Sequence, residues 1–124
     1  MQFKLSKSHR YWWPVVVRLP DPENAGKIIE QRFEVQFEPL SREDMLAAQE
    51  EASKLTSLRE LTDHEMAQAL RIVKNWQGVV DDAGEVVPFS ADMLTGALQQ
   101  PWFRNALNAA LGQSMNGDEA RLGN

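Results

Sequence analysis

The stretch that decides the fold is residues 29–38, which read Ile-Glu-Gln-Arg-Phe-Glu-Val-Gln-Phe-Glu. Apart from Gln31, every second position is apolar, and the series is Ile29, Phe33, Val35 and Phe37. Successive side chains of a strand point to opposite faces, so this alternation predicts a β-strand with one buried and one solvated face. Antiparallel sheets commonly have one covered face, and we therefore predict an antiparallel strand that packs against other elements.

A partner strand is predicted upstream, over residues 12–19, which read Trp-Trp-Pro-Val-Val-Val-Arg-Leu and are rich in β-branched and aromatic residues. Pro14 lacks the N–H that a ladder hydrogen bond requires, which favours an edge strand or a strand start. Residues 20–26 join the two strands and contain turn-forming residues, among them Asp21, Asn24 and Gly26. The sequence thus predicts an N-terminal antiparallel hairpin whose apolar side needs a cover.

Two helices are predicted to follow the hairpin. Ser41 and Asp44 have the spacing of a capping box, and the apolar stripe behind them is Met45, Ala48, Ala52 and Leu55. Thr62 and Glu65 repeat that spacing, so residues 56–61 are predicted to be a connection. The second helix is predicted to end at Gly78, and its stripe is Met66, Ala69, Leu70, Val73 and Trp76.

The remaining sequence predicts a small turn or hairpin and two more helices. Valine pairs at 79–80 and 86–87 flank a turn at residues 81–84. Ser90 is expected to cap a short helix, and Pro101 fits the first turn of another. The inner stripe of that last helix is Phe103, Leu107, Ala110 and Leu111.

The predicted fold class is therefore α+β, with the N-terminal antiparallel β-hairpin packed against about four α-helices and a small β-turn or hairpin near residues 79–87. A flexible basic leader is expected at residues 1–10, a single α+β domain at 11–115 and a flexible tail at 116–124. A chain of 124 residues and 14.1 kDa is most simply one domain.

Composition excludes several classes of function. The chain has 13 Lys plus Arg and 18 Asp plus Glu, and its formal charge of −5 argues against a general nucleic-acid binder. It has no cysteine, which excludes disulfides, thiolate catalysis and cysteine-ligated metals. No stretch resembles a signal peptide or a membrane span, so we expect a soluble protein that stays in the compartment where it is made.

Charge is distributed unevenly along the chain. Residues 1–20 contain four basic and no acidic residues, whereas residues 21–65 contain twelve acidic and five basic ones. The basic leader could contact nucleic acid or an acidic partner, and the alternative is a solvated chain end.

The sequence offers little for catalysis. The two histidines are His9, in the leader, and His64, which we interpret as a surface or capping-turn residue at a helix start. The acidic residues around Gly84 do not have the spacing of a calcium loop and are interpreted as a solvated turn. A metal-assisted hydrolase using Asp81, Asp82 and Asp92 stays open as an alternative. We expect no enzyme, no catalytic or metal-binding residues and no cofactor.

Four tryptophans stand out in so short a chain. They either build the core or stay exposed as anchors for a partner, a role in which Trp is favoured. Trp12 and Trp13 are adjacent on a strand and must point to opposite faces, and Arg18 shares the face of the outward one. The candidate partner-binding residues are Trp12, Trp13, Arg18, Trp76, Trp102 and Phe103. Self-association through a free sheet edge near Pro14 is a further expectation.

An ordered series of short motifs suggests a family. The series is Val73-Lys-Asn-Trp76, Gly78-Val79, Asp81, Gly84, Val87-Pro-Phe-Ser90, Leu94, Pro101-Trp102, Ala106-Leu107 and Gly123-Asn124. The opening hairpin adds Pro14-Val-Val-Val17, Leu19-Pro20, Phe33 and Phe37 before an acidic helix. In this order and spacing, residues 73–124, and more faintly 11–50, resemble the tail assembly chaperones of long-tailed bacteriophages.

The resemblance implies a protein of the host-cell cytoplasm that is not in the mature virion. Such chaperones bind the long, helical tape measure protein and help tail-tube protein to polymerise around it, without catalysis. Many are also made in a longer form by ribosomal frameshifting. The expected partners are accordingly the tape measure and tail-tube proteins, with no nucleic acid and no membrane, and a homo-oligomer is an open expectation. The alternatives are a structural minor tail or connector protein of the virion, and a small regulatory DNA-binding protein that uses the leader.

Overall fold

Three antiparallel strands in the order β1–β2–β3 form the sheet of this protein, of which the computed structural model describes residues 1–120. The strands are β1 (Tyr11–Pro20), β2 (Ile28–Phe37) and β3 (Val73–Gln77). β1 and β2 pair along their whole length, with Val15 opposite Phe33 at the centre. The predicted hairpin is confirmed, and β1, which contains Pro14, lies at an edge of the sheet.

The turn between β1 and β2 is held by Asp21. Its carboxylate accepts hydrogen bonds from the Asn24 side chain and from the backbone N–H of Glu23, both at 2.9 Å. The bond from Asn24, followed by that from Glu23, lowers the pKa of Asp21 below its ordinary value. Gly26 closes the turn with a φ of +80°, which side-chain-bearing residues rarely adopt.

Within the described residues four helices accompany the sheet, as predicted for an α+β fold. They are α1 (Arg42–Ser53), α2 (Leu58–Ile72), α3 (Ala91–Ala97) and α4 (Pro101–Met115). The predicted caps of α1 and α3 are confirmed, because the hydroxyls of Ser41 and Ser90 each accept a backbone N–H at 3.1 Å. Pro101 begins α4, where its missing N–H leaves no hydrogen bond unmade.

The predicted start of the second helix at Thr62 is wrong. The helix begins at Leu58, and Ser57 caps it by accepting the Glu60 backbone N–H at 3.0 Å and donating to the Glu60 carboxylate at 3.1 Å. Ser57 and Glu60 have the spacing of a capping box, and the helix begins at this pair instead of at the Thr62–Glu65 pattern. Residues 58–61, predicted to be a connection, are helical.

The predicted end of the second helix at Gly78 is also wrong. α2 stops at Ile72, and β3 begins at the next residue, Val73, with no loop between the two. β3 pairs with β2, so that Trp76 lies opposite Val35. The apolar spacing of Val73 and Trp76 fits a helix as well as a strand, and pairing with the open edge of β2 decides between them.

The core lies between the inner face of the sheet and helices α2, α3 and α4. α4 runs antiparallel to β1, because Phe103 in its first turn stacks on Phe33, whereas Ser114 in its last turn is hydrogen-bonded to Tyr11 at 2.7 Å. The predicted small hairpin is confirmed by the bridge between Val80 and Val86. The buried core comprises Val15, Val17, Phe33, Val35, Phe37, Val73, Trp76, Leu94, Leu98, Phe103, Leu107 and Ala110.

Helix α1 lies outside this core. It packs on α2, where Asp44 and Arg71 form an ion pair of 3.8 Å. Ala48 is the one residue of α1 that is buried, and Met45, the first residue of its predicted inner stripe, is exposed. The predicted tail extends beyond the described residues, as does Gly123-Asn124 of the family motif series.

Candidate protein-binding surfaces

The outer face of β1 is the surface that brings predicted partner-binding residues together. Val15 and Val17 are buried on the inner side of the strand, so the alternate residues face outward. We call the outward set the β1 outer face, and it consists of Trp12, Pro14, Val16 and Arg18. The Trp12 side chain is 38% exposed, and Pro14 and Val16 are half-buried beside it. An apolar strip therefore runs along β1 and ends at a cation.

Charged side chains of β2 border this strip. Glu30 lies 3.7 Å from Arg18 and 3.6 Å from Arg32, and the Glu34 carboxylate accepts a hydrogen bond of 2.7 Å from Gln77 on β3. Exposed pairs of this kind contribute little to stability, since water screens them. Their effect is to place both signs of charge next to the apolar strip.

Trp13 points to the other side of β1. Its ring lies edge-on to Tyr11, with ring centroids 6.2 Å apart. The indole N–H is buried, and no acceptor among residues 1–120 bonds to it. A buried donor without a partner is destabilising by about 1–3 kcal/mol. Trp13 packs against the buried core and is only half-buried.

Trp76 and Phe103, two further candidates, are core residues. Trp76 is 6% exposed, and its indole N–H donates to the Val87 carbonyl at 2.8 Å, which attaches the small hairpin to β3. Phe103 stacks almost flat on Phe33, with centroids 5.5 Å apart. Neither side chain offers a partner much surface in this conformation.

Trp102 is exposed but lies apart from Trp12. It is 41% exposed in the first turn of α4. Because α4 runs antiparallel to β1, Trp102 lies near the end of β1 and Trp12 near its start. The structure therefore groups Trp12 with Arg18 and separates both from Trp102.

A groove between α2 and α4 was not predicted from the sequence. It has a volume of about 310 Å³ and lies over Phe37 at one end of the sheet. We call it the α2–α4 groove; its apolar lining is Phe37, Ala69, Ile72, Val73, Leu107 and Leu111, and its polar rim is His64, Glu65, Gln68 and Asn108. The apolar stripes of both helices were visible in the sequence, but the gap between them depends on how far apart the helices pack.

A cluster of charges fixes the base of the leader. Glu38 pairs with Arg10 at 3.2 Å and with Lys74 at 3.8 Å. The hydrogen bond from Arg10 is the main reason that the pKa of Glu38 lies below its ordinary value, and Lys74 adds to the effect. Arg10, at the base of the leader, therefore contacts the end of β2.

The acidic turn has a structural role in this conformation. The Asp81 carboxylate accepts the backbone N–H groups of Ala83 and Glu85 at 2.9 and 3.0 Å, which shapes the turn before β-bridge residue Val86. Within residues 1–120 no three His, Asp or Glu side chains are grouped so that they could hold a metal ion. His64 lies in the middle of α2 and not at a helix start as predicted, since α2 begins at Leu58.

No helix in the described part of the chain combines the length and the apolar character needed to cross a bilayer. Comparison of the chain with protein-family models, with the curated proteins and with the solved structures finds no match in any of the three.

Proposed function

We propose that this protein is a tail assembly chaperone of a long-tailed phage or prophage, which acts in the host cytoplasm and is left out of the finished particle. It would bind the tape measure protein before tail-tube protein encloses it, and it would make or break no bond. The observation that carries the proposal is Trp12, exposed at 38% in line with Pro14 and Val16 on the β1 outer face.

The chemistry of this face suits an amphipathic helix. A partly exposed Trp beside other apolar side chains is the usual anchor of a protein interface, because a large rigid ring buries much area at little entropic cost. The strip has Arg18 at one end and Glu34 along its side. A client helix can therefore align with one charge of each sign. A tape measure helix has to be held only until the tube forms, so a small surface of modest affinity is appropriate.

Co-expression with the tape measure protein encoded nearby is the direct test. We expect the tape measure protein to be soluble and to co-purify when this chain is present, and to aggregate when it is absent. Equal insolubility in both cases would refute the proposal.

A matched pair of variants tests the surface. Trp12→Ala should weaken capture by about 30-fold, as expected when an interface anchor worth about 2 kcal/mol is removed. Trp102→Ala removes a tryptophan of similar exposure from another part of the surface and should leave capture unchanged. If Trp102→Ala has the larger effect, the client binds at the start of α4 instead.

Mass spectrometry of purified particles separates the proposal from a structural tail protein. A chaperone should be missing from the particles and present in the lysate. Detection at a fixed copy number per particle would favour the minor tail or connector alternative.

A further inference from the structure

The α2–α4 groove has an apolar lining that no described element covers. No residue of α2, which lies wholly within residues 1–120, is fully buried, although Ala69 and Ile72 pack against the core. Leu111 on α4 is likewise only half-buried. The groove lies beside the first residues of β1, because Phe37 in its floor pairs with Tyr11.

The leader carries apolar side chains that no other described residue covers. Met1, Phe3 and Leu5 are the three most exposed large apolar residues of the described chain, and Phe3 is 88% exposed. They occupy alternate positions, so in an extended chain they project from one side, with Gln2, Lys4 and Ser6 on the other. We call residues 1–6 the arm.

The base of the leader lies in a different hollow from the α2–α4 groove of its own chain. Lys7 and Ser8 line a separate hollow of about 390 Å³ together with Glu38, Asp44 and Arg71. Arg10 is paired with Glu38 at the same place. Beyond this anchor an extended chain gains about 3.3 Å per residue, so Phe3 can reach about 13 Å past Lys7 into a neighbouring molecule.

The charges of arm and groove are complementary. The arm contains Lys4 and no acidic residue, and Lys7 and Arg10 follow it in the base of the leader. Among the described residues that line the groove, Glu65 is the one acid and none is Lys or Arg. Attraction between Lys4 and Glu65 would favour this docking over apolar sites flanked by cations.

From these observations we infer that the arm of one copy docks in the α2–α4 groove of a second copy. Each chain then carries both halves of the contact, so reciprocal exchange closes a two-fold dimer and leaves no arm or groove open. Phe3 and Leu5 enter the groove, and Lys4 lies toward Glu65 on the rim.

Light scattering over a range of concentrations, with four versions of the chain, tests the inference. We expect the unaltered chain to show a concentration-dependent monomer–dimer equilibrium. The double variant Phe3→Ser with Leu5→Ser should raise the dimer dissociation constant at least about tenfold, because two large apolar side chains are lost from the contact. Asn108→Arg places a cation on the exposed rim and should also weaken the dimer. Leu58→Ser is the control, since Leu58 is 84% exposed and belongs to neither surface.

Cross-linking identifies the contact itself. A photoreactive phenylalanine analogue at position 3, in an equal mixture of ¹⁵N-labelled and unlabelled chains, should give adducts that join labelled to unlabelled chains within residues 64–72 or 107–111. Circular dichroism confirms that every variant is folded. In light scattering, the inference is overturned by a chain that is monomeric at all concentrations or by a dimer that Phe3→Ser with Leu5→Ser leaves intact. In cross-linking, it is overturned by adducts that form only within single chains. It is also overturned by groove adducts that form only when a tape measure segment is added, since the arm would then need that partner to dock.

Discussion

Replacing Trp76 with Phe should destabilise the protein by about 2–3 kcal/mol. The indole is buried against Phe33, Phe89 and Phe103, and the substitution removes about one third of the atoms that truncation to Ala would remove, which is worth about 1–1.5 kcal/mol. The lost hydrogen bond to the Val87 carbonyl, 2.8 Å long, adds about 1 kcal/mol. The first loss falls on the aromatic core, and the second falls on the attachment of the small hairpin to β3.

Urea denaturation followed by circular dichroism measures this effect. With a slope of about 1–3 kcal/mol per molar urea for a domain of this size, the midpoint should fall by about 1–2 M while the slope stays the same. Trp102→Phe is the matched control, because the same atoms are removed from a side chain that is 41% exposed, and its free energy of unfolding should change by less than about 0.5 kcal/mol. If the two variants unfold at the same midpoint, the assignment of Trp76 as the central core residue is wrong.

Two further outcomes follow from local backbone and charge. Gly78→Ala should destabilise the protein by about 1–2 kcal/mol in the same urea assay, because Gly78 has a φ of +85°. Gly112→Ala should stabilise it by about 0.5–1 kcal/mol, because Gly112 is helical and a Cβ there meets no other atom. A loss of stability in both variants would contradict this reasoning. The pKa of Glu38 is lowered by Arg10, so the ion pair is intact at neutral pH and is lost as the pH falls through that lowered pKa. At neutral pH, where the unaltered chain keeps the pair, trypsin should cleave after Arg10 faster in Glu38→Gln than in the unaltered chain. Equal cleavage rates would show that this pair does not hold the leader.

The hairpin could be predicted because each of its signals is local. The alternation along β2 predicts which side chains are buried, and Pro14 favours an edge strand or a strand start whatever the rest of the chain does. The caps of α1 and α3 are equally local, since the serine and the N–H that it accepts are three residues apart. The predictions of the hairpin and of these two caps are confirmed because no tertiary contact favours a different local structure there.

The errors arose where two local patterns competed. Val73 and Trp76 are three residues apart, which fits one face of a helix, and only the open edge of β2 makes them a strand. Thr62–Glu65 has the spacing of a capping box, but Ser57–Glu60 has it too and stands closer to the end of α1. Neither choice can be made from a single window of sequence.

The surfaces were harder to predict than the fold. The sequence indicated that one of Trp12 and Trp13 faces outward, and the structure assigns the outward position to Trp12. Trp76 belonged to a predicted apolar stripe and Trp102 did not, yet both were retained as candidate partner-binding residues. The α2–α4 groove depends on the distance between two helices, which is a property of their packing and not of either stripe alone.

The direct junction between Ile72 and Val73 has a consequence for how this chain tolerates length changes. One extra residue there would turn Trp76 toward water and Gln77 toward the core, because side chains of a strand alternate. Residues 54–57, between α1 and α2, bear no such constraint, since α1 contributes little to the core. Natural insertions and laboratory fusions should therefore be found at residues 54–57 and be absent between Ile72 and Val73.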